Sequence, residues 1–279
     1  MQRIENFIAL FANPSFPLYV YGLGASIFFI CFVWFFYLFI KNPTIVDVYW
    51  PIGLIILACL IFLERPYGGP GVWQNHLFLA VIFLWGLRLG IYLLTRLILE
   101  KRMDRRYEYL SKKWGRGFLG HFKWFLYYLL TAFIQSVLAL AFLGLATYNA
   151  YQGIWFYFGC VLAIFSIIMT SVADWQLAAF VQKRKKDTAL MDRGLWGYSR
   201  HPNYFFEWLT WVGFALMSIE SFASYWVVLS PLFLLFVILK VTLPFTERLS
   251  SEVRGKVFQS YKNRVNRFFP LPPTLSKQD

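Results

Sequence analysis

A chain of 279 residues that is 59% hydrophobic and 22% aromatic holds more apolar side chain than a soluble domain usually does, and the excess comes in long runs, as in a polytopic membrane protein. The net charge of +13 would suit a nucleic-acid surface, but the aromatic residues lie inside the apolar runs and not between the basic ones, which argues against nucleic acid as a partner. Cys31, Cys59 and Cys160 are scattered through apolar segments, so neither a disulfide framework nor a metal spacing is expected.

In chain order, residues 1–17 read as a short lead ending at Pro14 and Pro17, without the basic region and cleavage site of a signal peptide. A first span is expected from about Leu18 to Ile40, closed by Lys41-Asn42-Pro43, and a second from about Val48 to Leu63. The turn-rich stretch 64–71 separates it from a third, near Leu77 to Leu97, which carries Arg88 and Arg96. A charged segment, 100–123, precedes a fourth span from about Trp124 to Ala146. The connector YNAYQG leads to a fifth, Ile154 to Phe180. A polar run then reaches MDRGLWGYSRHPNYFFEW. The sixth span starts near Tyr204 and turns at Glu220-Ser221, and the seventh ends near Pro244. The tail beyond is basic and amphipathic.

Charge orients these spans. Lys41, segment 100–123, segment 181–203 and the tail together hold 22 of the 27 basic residues, and seven spans put all four regions on one side. By the positive-inside rule that side is cytoplasmic, which predicts an N-terminus outside and a C-terminus inside. The expected class is therefore an all-α, polytopic membrane helix bundle of about seven transmembrane helices. It forms a single integral, multi-pass domain over 1–279.

Ionisable residues inside spans are costly and mark candidate sites. Asp47 opens the second span, Arg88 lies mid-way along the third and Asp174 deep in the fifth, with Gln176 beside it. Asn203 and Glu207 are four residues apart and share a helix face. Three basic clusters on the cytoplasmic side, around Arg105-Arg106-Tyr107, Arg200-His201 and Tyr261-Arg264, are suited to a polyanionic cofactor, because the planar fork of Arg matches phosphate and neighbouring aromatic rings can stack on a base. Basic residues 183–186 read instead as contacts with anionic membrane lipids. There is no GxGxxG and no P-loop, and His76, His121 and His201 are too dispersed for a multi-histidine metal centre.

The stretch GLWGYSRHPNYFFEW resembles the C-terminal signature of the steroid 5α-reductase superfamily, which also contains isoprenylcysteine carboxyl methyltransferases. Four further motifs are similar to the bacterial, domain-of-unknown-function branch: Asp47-Val48-Tyr49-Trp50-Pro51, Leu87 to Gly90, Asp104 to Tyr107 and Ala173 to Gln176. The resemblance covers about residues 44–270. It implies a seven-helix bundle with a cofactor cavity open to the cytoplasm, and an NADPH-dependent reductase of a carbon–carbon double bond conjugated to a carbonyl in a lipophilic substrate drawn from the bilayer. It places Asp174, Asn203, Glu207 and Tyr261 at the cofactor and Arg200 and His201 near its phosphates, and it implies a substrate half at about 18–97 and a cofactor half at about 98–279 in a bacterial inner membrane; the basic and aromatic clusters read from the residues add Arg105, Arg106, Tyr107, Tyr198, Tyr204 and Arg264 as cofactor-binding candidates. Asp47 falls roughly where the reductases carry their catalytic acid, and Tyr92 is the tyrosine assigned beside it. The Arg-His-Pro-Asn-Tyr core does not separate reductase from S-adenosylmethionine-dependent methyltransferase. Phe205-Phe206, where methyltransferases carry Gly, tilts the reading to the reductase. A non-enzymatic lipid-binding membrane protein is the third possibility.

Overall fold

The computed structural model describes residues 15–62, 72–100, 103–147, 153–184, 186, 188–219 and 227–274. The expected turn at 64–71, most of the YNAYQG connector, the Glu220-Ser221 turn and the lead before residue 15 lie outside the described residues. Among the described residues there is no strand. The helices are α1 (Ser15–Ile40), α2 (Ile45–Phe62), α3 (Val72–Glu100), α4 (Arg105–Trp114), α5 (Phe118–Thr147), α6 (Ile154–Lys183), α7 (Pro202–Ser218), α8 (Leu229–Val237), α9 (Leu243–Arg254) and α10 (Lys256–Arg264). A 3-10 turn, Gly194–Gly197, precedes α7, and a π turn, Ile238–Thr242, joins α8 to α9.

Among the described residues, six helical segments are long and apolar enough to cross a membrane: Gly22–Ile40, Ile45–Phe62, Trp73–Ile98, Phe118–Leu143, Ile154–Lys183 and Leu229–Arg254. This is the architecture of an integral, multi-pass membrane protein. The expected sixth span, α7, has 17 residues and is not among these six. At the usual rise it measures about 25 Å, against a hydrocarbon core of about 30 Å.

Two boundaries differ from the sequence expectation for identifiable reasons. Helix α5 begins at Phe118, not Trp124, because the chain turns at Gly115, whose φ of 77° stops α4, and helix resumes two residues beyond Arg116. The last span does not end at Pro244 but runs on to Arg254. A proline lacks the N–H and crowds the carbonyl four residues back. The wide turn at Ile238–Thr242 absorbs that crowding, and Pro244 then sits in the first turn of α9, where a missing N–H costs little.

The chain forms two compact units. The first comprises 1–160 and 213–233. In it α2 packs against α1, α3 and α5. Pro51 lies inside α2, and Gln135 of α5 ties to the turn beside it, its Nε2 donating to the Trp50 carbonyl at 2.7 Å. An aromatic-rich core of Tyr37, Tyr49, Tyr107, Trp124 and Tyr128, with Ile30, Val46 and Ala132, fills one region of this unit. Several buried hydroxyls return their bonds to main-chain carbonyls, as Ser230 does to Leu138 at 2.9 Å and Ser218 to Ala141 at 2.5 Å, which spares the hydrocarbon those donors.

The second unit comprises 161–212 and 234–279. Its small core is Phe258, Tyr261 and Val265 with Leu190, and α9 packs on α10. Several long-range bonds tie the extended tail to the loop ahead of α7. Arg200 N donates to the Asn266 carbonyl at 2.8 Å, Ser199 Oγ to the Phe268 carbonyl at 2.8 Å, and Leu271 N to the Tyr198 carbonyl at 3.0 Å.

Candidate functional site

Polar side chains gather at one cluster in each unit. In the first unit the cluster grows from the start of α4. Asp104 is its N-cap: one carboxylate oxygen accepts the Arg106 main-chain N–H at 2.8 Å and its Nε at 3.0 Å, and the other accepts Arg96 at 2.8 Å. Burial alone would raise the Asp104 pKa, but the two guanidinium groups overcome it and hold the carboxyl well below the usual carboxylate range. Arg106, fixed in this way, reaches back to Asp47 at 3.3 Å. The second oxygen of Asp47 accepts a hydrogen bond from the Tyr107 hydroxyl. Burial, reinforced by the neighbouring Asp47, raises the Tyr107 pKa well above that of an ordinary phenol, so Tyr107 keeps its proton at neutral pH.

The walls of this cluster are aromatic. The Tyr107 ring lies 5.7 Å from Trp124 and 5.9 Å from Tyr127, Trp114 stands 4.7 Å from Trp124, and the Arg106 guanidinium sits 5.4 Å over Tyr107. Such walls lower the local dielectric and strengthen the Arg96–Asp104–Arg106–Asp47–Tyr107 chain of contacts. An oxygen that acquires negative charge beside it would meet a guanidinium and a phenolic donor.

In the second unit the cluster sits between the end of α6 and the start of α7. The Asp174 carboxylate is buried and accepts a bond from Asn203 Nδ2 at 3.2 Å. Glu207, one turn along α7, accepts Trp211 Nε1 at 3.4 Å. Gln176 Oε1 accepts the Leu195 N–H at 3.0 Å, and Trp196 Nε1 donates to the Ala173 carbonyl at 3.0 Å, so the 3-10 turn is bonded to α6. Next to this lies a charged knot. The buried Glu247 of α9 accepts Arg200 Nε at 2.8 Å, lies 3.4 Å from His201 Nε2, and forms an ion pair with Arg267 at 3.4 Å. A second nitrogen of Arg200 donates to the Lys262 and Val265 carbonyls at 3.1 and 2.7 Å. Burial lowers the His201 pKa, and Glu247 offsets this only in part.

The predicted residues are thus distributed in a definite way. Asp47, Tyr92, Arg105, Arg106 and Tyr107 belong to the first unit, and the structure joins Asp47 to Arg106 and Tyr107. Tyr92 lies half-buried on α3. The hydroxyl seen on Asp47 comes from Tyr107, which the sequence grouped with the cofactor residues. Asp174, Tyr198, Arg200, His201, Asn203, Tyr204, Glu207, Tyr261 and Arg264 belong to the second unit. Of these, Tyr261 is buried and its hydroxyl donates to the Trp196 carbonyl at 2.5 Å, so it holds the loop in place. Tyr204 packs on the His201 ring at 5.9 Å, Tyr198 is half exposed, and Arg264 faces Asp192 at 3.4 Å near the surface. Glu247 was missed. Its one sequence signal is an acid three residues beyond Pro244, in a tail otherwise rich in Lys and Arg.

Six membrane-length helical segments among the described residues, with a partly buried acid–phenol pair in one unit and a carboxylate–carboxamide pair in the other, define a polytopic membrane protein with two polar clusters. Residues 33–265 match the family described as "Protein of unknown function (DUF1295)", and the chain belongs to that family. No curated protein and no solved structure shows significant similarity to it.

Proposed function

We propose that this protein is an integral membrane oxidoreductase of the steroid 5α-reductase type, which uses NADPH to reduce a carbon–carbon double bond conjugated to a carbonyl in a lipophilic substrate. The observation that carries the reading is the Asp47–Tyr107 pair, an acid and a phenol in direct hydrogen bond inside an aromatic wall. NADPH would supply hydride to the β-carbon. The Asp47–Tyr107 pair would hold the carbonyl oxygen and keep a proton within its reach as negative charge develops there, and Arg106 would add positive charge beside it.

The second unit has groups that fit such a cofactor. The buried Asp174 carboxylate and the half-buried Asn203 carboxamide can accept from and donate to ribose hydroxyls or a carboxamide. Exposed Arg193 and half-exposed Arg264 suit phosphate, whereas Arg200 already spends two of its nitrogens on Glu247 and main-chain carbonyls. Phe206 is buried and Phe205 packs on Phe268 and Phe269 at 5.5 and 5.8 Å, and these rings at positions where methyltransferases of the resembled superfamily carry Gly support the reductase reading over methyl transfer.

A seven-span topology accompanies this reading. Without α7 as a crossing, the basic tail would fall opposite the other basic segments; with it, all four share the cytoplasmic side of a bacterial inner membrane.

The test is to extract the protein in mild detergent, denature it and identify released small molecules by mass spectrometry, followed by titration with NADPH and with S-adenosylmethionine. NADP released from wild type but not from Asn203→Ala is the expected result. S-adenosylmethionine or its demethylated product in its place would replace the reductase with a methyltransferase. Failure of both to bind would favour a lipid-binding protein.

A further inference from the structure

The corner between α4 and α5 presents basic and apolar side chains together. Helix α4 turns its inner face, Tyr107 and Trp114, onto Trp124 and Tyr127. Its last turn presents Lys112 and Lys113 to solvent, and Lys112 pairs with the exposed Glu108 at 2.7 Å. Arg116 follows in the turn, and Lys123 is exposed on α5. Among these cations stand Phe118, 82% exposed, and Phe122, 46% exposed, with their rings stacked at 6.5 Å. The corner is tightly built: a Cβ on Gly120 would lie 2.2 Å from the Gly115 carbonyl.

Helix α5 has 30 residues and is therefore about 45 Å long, well beyond the hydrocarbon thickness of about 30 Å. Its first turns can thus lie at headgroup level, where aromatic rings seat in the acyl boundary and Lys and Arg reach phosphates. Four cations against one acid complement an anionic leaflet.

We propose that the α4–α5 corner is a docking surface for anionic membrane lipid, with Lys112, Lys113, Arg116 and Lys123 on the headgroup phosphates and Phe118 and Phe122 in the acyl boundary. The occupant is the leaflet in which the protein sits. Because α4 also carries Arg106 and Tyr107, lipid at this corner steadies the helix that holds them against Asp47. The lipid site itself stands independently of the proposed reaction.

The test uses the full chain, reconstituted in nanodiscs of phosphatidylcholine and phosphatidylglycerol, re-extracted in mild detergent and examined by lipid mass spectrometry and thermal melting. Wild type is expected to retain phosphatidylglycerol over phosphatidylcholine by about fivefold and to melt higher in its presence. K112Q/K113Q/R116Q/K123Q is expected to lose both effects while melting like wild type in pure phosphatidylcholine. F118S/F122S, which keeps every charge, is expected to lose part of the enrichment. A control with four basic residues removed outside this corner and outside segment 183–186, K41Q/R248Q/K256Q/K277Q, is expected to keep it. Equal loss in that control would reduce the effect to net charge and overturn the proposal. So would enrichment that survives in K112Q/K113Q/R116Q/K123Q, or a stoichiometric protein that leaves with those four side chains while the lipid ratio stays constant.

Discussion

Arg200 and Glu247 meet at 2.8 Å with both side chains more than nine-tenths buried. Forty-seven residues of chain separate them, and the pair fastens the loop before α7 to α9 within the second unit. A buried ion pair owes little of its value to attraction alone, because desolvation cancels most of it. Its weight appears when one partner is removed. Glu247→Ala would leave Arg200 buried beside His201 and is expected to cost about 3–5 kcal/mol, visible as a large fall in melting temperature in detergent. Glu252→Ala, which breaks the exposed pair with Arg248, is expected to change stability by less than about 1 kcal/mol. Similar losses in the two variants would mean that the Arg200–Glu247 contact is not held in the folded protein.

The same knot carries a pH dependence. His201 is buried, and its pKa lies below the ordinary value of 6.5 because burial outweighs the pull of Glu247. Arg200 and Arg267 add to the lowering, and the Tyr204 ring closes one side. The unfolded chain therefore takes up the proton more readily than the folded one. The stability contributed by neutral His201 is complete above pH 6.5, erodes as pH falls below it, and is fully lost below the depressed folded value. Melting followed from about pH 7.5 to about pH 5.5 is expected to show this loss in wild type and a flatter profile in His201→Gln.

Much of this architecture can be read from the chain because apolar runs of membrane length have one stable outcome. The spans expected from Leu18, Val48, Leu77 and Ile154 are α1, α2, α3 and α6. Asn203 and Glu207 share a face of α7 because four residues make about one turn, and the structure then adds Asp174 to Asn203. Partner choice was not legible. Nothing in the sequence joins Asp47 to Tyr107, 60 residues away, in preference to Tyr92, and nothing joins Arg200 to Glu247. Those pairings depend on which helices pack together. The continuation past Pro244 was illegible for a local reason: a π turn has no sequence signature comparable to the proline that would otherwise stop the helix.

If the Asp47–Tyr107 pair holds a substrate oxygen, the phenolic proton matters more than the ring. Tyr107→Phe keeps the packing on Trp124 and removes the hydroxyl from Asp47. Turnover of an enone lipid is expected to fall by about a hundredfold or more, with NADPH affinity and melting temperature nearly unchanged. Tyr92→Phe provides the comparison from α3, since the sequence assigned the role to Tyr92. Full activity in Tyr107→Phe together with its loss in Tyr92→Phe would return the role to Tyr92.

Asp104 separates capping from charge. Asparagine caps a helix about as well as aspartate, so Asp104→Asn should keep most of the stability of α4 while loosening the ionic grip on Arg106 and Arg96. Asp104→Ala also removes the cap and is expected to cost a further amount of about 1 kcal/mol. Circular dichroism melts of the two variants check the order. Equal stability of the asparagine and alanine variants would show that the cap contributes nothing measurable here.

Gly194 tests how the turn before α7 is held. Its φ of 59° lies in the left-handed region, where a side chain costs about 1–2 kcal/mol. A Cβ there would also lie 2.6 Å from Gln176 Nε2, against the amide whose oxygen accepts the Leu195 N–H. Gly194→Ala therefore adds steric displacement of Gln176 to backbone strain, and is expected to destabilise the protein by more than the backbone term alone. Gln176→Ala gives room for the methyl group but leaves the Leu195 N–H without this acceptor, a loss of about 1 kcal/mol. Because the two changes act on one contact, they should not add: the double variant is expected to be less destabilised than the sum of the singles. Strict additivity in thermal melts would mean that Gln176 moves freely away from Gly194, and that the loop is held by the Trp196 and Tyr261 bonds instead.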